Sequence, residues 1–351
     1  MDKKNRLKKL AEHVFHRMID APADDWGMNI ESWDWVPGVG VIAILEYGQL
    51  AGDATAIEYL RQWTERNKHK SEQVKVINSM APYAIFPALY RITGERWYLD
   101  TATKIGDWML TEAPRTHDGA FEHTVTEDAQ FSDQAWADTL FMAVIFLARL
   151  ARLTGDSKYA KEAEFQLLVH LRLLQDTETG VLFHGWNGSE GNHMSAARWA
   201  RANAWVILAA PWIAEEIKDL TPLSEEIIER YQQLAAGLRQ YQRESGLWNT
   251  VLDQSKFAEE TSGSAGIAAG WLAGMRIGWL DPTYKEAAEK ALQGVKESID
   301  PDGTVQGVSG GTPVMPDIPA YNQIPCYPTL YGQGLVLILL SLAYTEKGEA
   351  I

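Results

Sequence analysis

The sequence predicts an all-α fold of repeated helical hairpins, on two recurring turn signatures and the helical periodicity between them. The first signature is a small-Gly-acidic turn followed by an aromatic-bearing helix: Ala51-Gly52-Asp53 with Tyr59, Thr93-Gly94-Glu95 with Trp97 and Tyr98, and Thr154-Gly155-Asp156 with Tyr159. Each glycine stands where a helix would end in a left-handed cap, and the acidic residue suits the first turn of the next helix. The second is a short turn ending in glycine and followed by apolar or aromatic residues: Asp118-Gly119-Ala120-Phe121, Thr179-Gly180-Val181-Leu182-Phe183, Ser245-Gly246-Leu247-Trp248 and Asp302-Gly303-Thr304-Val305. From glycines 119, 180, 246 and 303 the intervals are 61, 66 and 57 residues. A period near 60 is one helical hairpin plus its connection.

Along the chain, the basic decapeptide Met1 to Leu10 runs straight into a helical pattern, and Trp33-Asp-Trp-Val-Pro-Gly-Val39 leads into a helix near Gly40. Val76-Ile-Asn-Ser-Met-Ala-Pro82 opens the helix that ends at Thr93-Gly94, with Asn78 placed to cap it. Ser132 or Asp133 caps the next, whose run from Leu140 onward is almost entirely apolar and therefore buried. Amphipathic helices follow over Ser157 to Leu174, Leu223 to Tyr241 and Pro282 to Ile299, and strand alternation is scarce. The Pro-rich stretch Thr312 to Pro328 lies between two repeat elements, and no linker divides the chain, so residues 1–351 are read as one domain. Such hairpins close as an open solenoid or as an (α/α) toroid of inner and outer helices. Trp, His and Asp are spread unevenly over the turns, which favours a ring with one concave face.

Composition narrows the chemistry. With 32 Lys+Arg against 47 Asp+Glu the net charge is −15, and no basic run follows the first decapeptide, so nucleic acid is an improbable partner. The most apolar stretches, Phe141 to Leu147 and Leu335 to Ala343, are too short for the roughly 20 residues of a membrane span. No signal-peptide core follows the basic start, and a single cysteine, Cys326, excludes a disulfide scaffold, so a cytoplasmic location is expected. Phosphate loops, dinucleotide fingerprints, nucleophile elbows and metal-ligand spacings are absent, and neither cofactor nor metal is expected. Fourteen tryptophans either fill a large helical core or offer flat faces to sugar rings.

Three clusters could carry chemistry. Asp138 is expected about one turn inside the apolar helix, beside Trp136 and Met142, where burial would raise its pKa toward that of a general acid; the alternative is a structural Asp bonded to a neighbouring turn. His184 and Trp186 sit on an extended turn, and Trp199, Arg201, Asn203 and Trp205 crowd the start of the following helix. An Arg between two Trp suits a planar anion such as a sugar carboxylate. Trp33 and Trp35 form either a sugar platform or a plug at the bottom of the ring.

Gln134-Ala-Trp-Ala-Asp-Thr-Leu-Phe-Met142, Gly180-Val-Leu-Phe-His-Gly-Trp186, Trp199-Ala-Arg-Ala-Asn-Ala-Trp205 and Ser245-Gly-Leu-Trp248 resemble the motifs of glycoside hydrolase family 105, the unsaturated rhamnogalacturonyl hydrolases, related to the unsaturated glucuronyl hydrolases of family 88. The match runs in order from Trp33 to Gly332-Gln-Gly334. It implies an (α/α)6 barrel acting on polysaccharide-lyase products, small oligosaccharides whose non-reducing uronic acid carries a C4=C5 double bond. It also implies hydration of that enol ether: Asp138 protonates C4, then as carboxylate activates water at C5, and the hemiketal opens. The resemblance makes Asp138 catalytic, places His184 near the reacting ring, and has Trp35, Asn78, Gln134, Trp136, Met142, Trp199, Arg201 and Trp205 line the substrate site. Trp35 falls where relatives often carry Tyr, and Asn78 where many carry a second Asp. An amide holds a hydroxyl or orients Asp138 but does not titrate.

The expected activity is therefore removal of the unsaturated uronic acid, foremost from unsaturated galacturonyl-rhamnose of pectin, by a monomer or weak homo-oligomer. Unsaturated glucuronyl substrates of glycosaminoglycan or algal type are the alternative. Outside this class stand a sugar 2-epimerase of the same fold, which would need paired histidines among His184, His117, His123 and His193, and a non-catalytic sugar-binding protein.

Overall fold

A computed structural model describes residues 3–20, 25–71, 73, 75–126 and 131–345. The start of the basic decapeptide, Met1 and Asp2, lies outside them. Helices alternate between amphipathic and almost wholly buried. The amphipathic ones are α1 (Lys3–Ile19), α3 (Ala54–Ser71), α5 (Arg96–Thr111), α7 (Ser157–Leu174), α9 (Glu225–Tyr241) and α11 (Tyr284–Glu297). Between them in sequence run α2 (Trp35–Ala51), a 3-10 segment (Ile77–Ile85) continuing into α4 (Phe86–Thr93), a π-turn (Leu140–Val144) continuing into α6 (Ile145–Thr154), α8 (Ala200–Ile217), α10 (Thr261–Arg276) and α13 (Leu330–Thr345). The short α12 (Ile318–Tyr321) lies in the connection before α13.

The second set packs neighbour to neighbour, α2 on the 3-10 segment, that on the π-turn and α6, α6 on α8, α8 on α10, α10 on α13 and α13 back on α2. This is the inner ring of an (α/α)6 barrel, and one hydrophobic cluster runs through it from Leu7 to Tyr344. The outer helices bury one face each: α7 turns Tyr159, Ala160, Ala163, Leu167, Leu171 and Leu174 inward at helical spacing.

Both turn signatures are structural joints. Gly52, Gly94 and Gly155 cap α2, α4 and α6 in the left-handed conformation. The glycines of the 60-residue period also have positive φ, and each presses on the next outer helix: Gly119 on Phe165 of α7, Gly180 on the Gln233 backbone of α9, Gly246 on the Lys290 backbone of α11, and Gly303 on the His13 backbone of α1. The last contact closes the ring, which selects the toroid over the open solenoid. Three of these sites meet backbone so closely that a Cβ has no room, and the period in the sequence is therefore the period of the packing.

The predicted bounds hold for α7, and α9 and α11 begin two residues later than expected. One element differs. The helix expected from Ser132 or Asp133 does not start there, because Gln134–Trp136 form a short strand, β1, antiparallel to β2 (Gly185–Asn187), and Asp133 takes a left-handed φ of 58°. Helical bonding begins only where the Asp138 carbonyl accepts from Phe141 and Met142 N–H. Asn78 differs likewise: the 3-10 segment has Val76 at its start and no side-chain cap.

Candidate active site

The six inner-ring segments all begin at one end of the barrel, and residues at the starts of four of them line a cavity of about 330 Å³. Trp35 opens α2, Asn78 lies in the first turn of the 3-10 segment, Asp138 precedes the π-turn, and Trp199 and Arg201 open α8; all line the cavity, with Trp26, His123, Val125, Phe131, Trp136 and Gly311 to Pro313.

Asp138 and His184 meet because their strands pair. The ladder matches Trp136 with Gly185 and continues one step further, where Ala137 N–H donates to His184 C=O at 3.0 Å. His184 Nε2 then stands 3.4 Å from Asp138 Oδ2, both groups buried. On its other side His184 Nδ1 lies 2.8 Å from the Tyr321 hydroxyl of α12.

Rings continue this contact around the wall. Phe131 meets Trp136 at 4.9 Å between centroids, His123 stacks on Trp136 at 3.8 Å, His184 leans on Trp199 at 4.3 Å, the Arg201 guanidinium lies 4.5 Å over Trp199 and 4.6 Å over Tyr331, and Tyr331 stacks on Trp35. Such an apolar belt interrupted by a few polar atoms is how sugar rings are held and oriented. Several polar atoms here are unengaged: Asn78 Oδ1, His123 Nδ1 and Trp199 Nε1 are buried without a hydrogen-bond partner, and Asp138 Oδ2 and His184 Nε2 have only each other. Orphaned buried polar atoms are uncommon, and three beside the Asp138–His184 pair mark a place prepared for a polar ligand.

The electrostatics correct one expectation. Burial pushes the Asp138 carboxyl upward, but the His184 imidazole beside it, with His123 and Arg201 behind, outweighs that, and the net direction is downward. The ligand-free carboxyl is thus ionised instead of being held protonated by burial. Burial depresses His184 and takes His123 down to about 3, so both are neutral imidazoles at neutral pH.

Arg201 does not sit between Trp199 and Trp205. Its guanidinium lies between Trp199 and Tyr331, and its fork is occupied: Nη1 reaches Glu260 at 3.3 Å and donates to Ser262 Oγ, Ser309 Oγ and Ser309 C=O, while Nη2 donates to Gly310 C=O and Thr312 Oγ1. Glu260, the N-cap of α10, is equally buried and saturated. The pair holds the segment 309–312 against the cavity wall, so a free bidentate clamp is not what this residue offers.

The remaining predicted residues separate. Trp35 lines the cavity, while Trp33, just before α2 at the same end of the barrel, is core packed against Trp63 and Tyr83 and plugs nothing at the far end. Trp136 lines the cavity and its Nε1 is held by Gln134 Oε1 at 3.0 Å. Met142 is wholly buried and Trp205 packs on Phe141; neither reaches the cavity wall. Residues not singled out for the site are Trp26, Phe131, Glu260, Tyr321, Tyr331 and the segment 309–313. A weak signal existed for Glu260, the second of two adjacent glutamates before a helix start rich in Ser, Gly and Ala.

Residues 7–346 match the model of Glycosyl Hydrolase Family 88. The chain is 32% identical over 313 residues, covering 88% of it and 89% of the relative, to the unsaturated rhamnogalacturonyl hydrolase YesR of Bacillus subtilis. A crystal structure described as a possible member of the GH105 family from Salmonella enterica serovar Paratyphi A superposes with a TM-score of 0.92 at 30% identity, over 98% of this chain and 95% of that one. An unsaturated glucuronyl hydrolase from Bacillus sp. GL1 shares the fold at 15% identity, with a TM-score of 0.76 over 98% and 97% of the two chains.

Proposed function

The chain belongs to Glycosyl Hydrolase Family 88, and from that membership we propose that it removes a 4,5-unsaturated uronic acid from the non-reducing end of lyase-derived oligosaccharides, with unsaturated galacturonyl-rhamnose as its principal substrate. The observation that carries this reading is the buried Asp138–His184 pair at 3.4 Å, with Asp138 on the wall of an aromatic cavity where Asn78 Oδ1, His123 Nδ1 and Trp199 Nε1 are unengaged.

A chemical route follows from the geometry. The six inner-ring segments point their N-terminal ends toward the cavity, a field that favours an anionic ligand. A uronate entering the site brings a second negative charge and excludes water, and both raise the Asp138 pKa from its low resting position, so the carboxyl takes up a proton as the substrate seats. Protonated Asp138 gives that proton to C4, C5 becomes an oxocarbenium centre, and the Asp138 carboxylate takes a proton from the water that adds there. The hemiketal then opens and releases the second sugar, with Asp138 protonated again. One carboxyl serves both steps, so the paired-carboxylate spacing of ordinary glycosidases does not govern this site. Trp35, Trp136 and Trp199 would carry the ring faces, and Asn78, with Oδ1 unengaged, a ring hydroxyl. Gln134 orients Trp136, Met142 and Trp205 back the wall, and Arg201 fixes the segment 309–312.

Unsaturated glucuronyl disaccharides form the second reading, because Asn78 removes a charge from the wall. Under the same proposal residues 1–351 are one catalytic domain, cytoplasmic and monomeric or weakly associating. Incubating the protein with a panel of unsaturated disaccharides and following the C4=C5 ultraviolet absorbance tests the assignment. Absorbance should fall fastest with the galacturonyl-rhamnose substrate, and no decay with any member of the panel would overturn it.

A further inference from the structure

Tyr321 lies outside every motif discussed above, in the four-residue helix α12 of the connection between α11 and α13. It is nonetheless buried, and its hydroxyl is a junction: 2.8 Å from His184 Nδ1, accepting from Met315 N–H at 3.2 Å, and 3.4 Å from Ser195 Oγ. We propose that Tyr321 is a positioning residue that fixes the tautomer of His184, so that a proton on Nε2 faces Asp138; the proposal rests on Asp138 being the acid/base.

Two independent contacts agree on the direction of the proton. The phenol oxygen already receives the Met315 N–H, and of the two acceptors within reach of its own hydrogen His184 Nδ1 at 2.8 Å is nearer than Ser195 Oγ at 3.4 Å; a hydrogen given to Nδ1 leaves the imidazole proton on Nε2. At the other edge, Nε2 faces a carboxylate oxygen at 3.4 Å, where a bare nitrogen lone pair would be repelled and an N–H is attracted. Burial raises the phenol pKa to about 12, so the hydroxyl keeps its hydrogen throughout the working range. The other titratable groups that act on the Asp138–His184 pair are His123 from the segment before β1 and Arg201 from α8, the latter neutralised by Glu260 of α10. Among the described residues neither of them bonds to His184 Nδ1, so the choice of tautomer falls to Tyr321.

Loss of the hydroxyl in Tyr321→Phe leaves Nδ1 buried and unpartnered, and the imidazole can move its proton there. Nε2 would then turn a lone pair to Asp138, and the carboxyl pKa would rise. The test has two parts. Nitrogen-15 histidine spectra of the wild-type protein, with His184 assigned by its loss in folded His184→Gln, should show the Nε2–H form; an Nδ1–H form overturns the proposal, and this reading needs neither activity nor Tyr321→Phe. In Tyr321→Phe, kcat with the disaccharide should fall tenfold or more at little change in KM, and the basic limb of the pH profile should move upward. A fall in rate with the limb unmoved also overturns it, because a merely loosened structure changes rate without changing the titration. A chain with no activity toward any disaccharide would overturn the hydrolase reading while the spectra still decide the tautomer.

Discussion

The two mouths of the barrel are built from the same inner ring and finished in opposite ways. At the end where the inner segments begin, the cavity wall is aromatic, and Asn78 Oδ1, His123 Nδ1 and Trp199 Nε1 are buried without a partner. At the other end, where the helices finish, a cavity of about 270 Å³ is lined by Arg91, Arg149, Arg152 and Arg276 with Glu46, Glu215 and Glu216. There the charges are largely matched: Arg149 pairs with Glu46 and donates to Ala84 C=O, and Arg152 lies 3.4 Å from Glu216. Arg91, Arg152 and Arg276 stand in the last turns of α4, α6 and α10, where cations complement the dipole. Unsatisfied polarity at one end and satisfied polarity at the other separate a surface kept for a ligand from one kept for the fold. The division predicts where substitutions will cost activity and where they will cost stability.

The largest effect on that division should come from Asp138→Asn, which keeps shape and removes the titrating group. Activity on the disaccharide should fall about 10²- to 10⁴-fold with the unfolding midpoint little changed. A variant retaining more than a tenth of wild-type turnover would remove Asp138 from the mechanism. Arg201 should break the simple division, since it lies at the ligand mouth but is engaged like a scaffold residue. Arg201→Ala leaves Glu260 buried and unpaired and should destabilise the fold by about 3–5 kcal/mol, against about 1–3 kcal/mol for Arg149→Ala at the opposite mouth, whose partner Glu46 keeps some solvent. Denaturant unfolding of the two variants side by side measures this, and equal losses would deny the distinction. Arg201→Lys keeps the charge without the fork, and should cost stability as well as substrate affinity.

How far the sequence foretold these regions follows the range of the interactions involved. The joints at Gly52, Gly94 and Gly155 and the bounds of α7 were legible because capping and amphipathic spacing act within a few residues. The environment of Asp138 was not, because it depends on β1 pairing with β2 about 50 residues away, and no local pattern announces that register. Arg201 illustrates a subtler miss. Side chains on a helix lean toward its N-terminus, so Arg201 reaches back to the mouth beside Trp199 and leaves Trp205, one turn further on, in the core. Tyr321 and Tyr331 arrive from the far end of the chain and give no sign in sequence of what they touch.

A smaller and more gradual effect concerns buried histidines in the two regions. Burial depresses His123 at the site to about 3 and His170 on the outer helix α7 to about 4. Below the unfolded value of about 6.5, the unfolded chain binds protons that the folded chain refuses, so stability is full above that pH and falls as pH drops toward the folded values, by about 1.4 kcal/mol per pH unit for each histidine. His170→Gln should flatten the stability curve between pH 6.5 and 4 by one such increment while leaving the disaccharide activity profile in place. Urea unfolding at several pH values gives the slope, and a variant as pH-sensitive as the wild type would contradict the assignment.

The smallest expected effect sharpens the comparison most, because it tests whether the ligand mouth is adapted or merely incomplete. Asn78 lines the cavity with Asp138 and has an unengaged Oδ1, at a position where the family resemblance puts a second aspartate. If the carboxylate had simply been lost, Asn78→Asp would raise activity on galacturonyl substrates, since the aromatic belt and the Asp138–His184 pair are intact. If the amide is an adaptation, the same change sets a second negative charge facing both Asp138 and an anionic substrate. Repulsion then raises the pKa of one carboxyl and weakens binding, and the two groups titrate as a coupled pair. The intact belt favours adaptation, because a site losing its function would be expected to lose more than one of its members. We therefore expect Asn78→Asp to lower kcat/KM by about tenfold, mainly through KM, and to move the pH profile upward, since one carboxylate interaction of this kind is worth about one pKa unit. A gain in kcat/KM across the whole disaccharide panel would reverse that expectation and identify Asn78 as a missing charge.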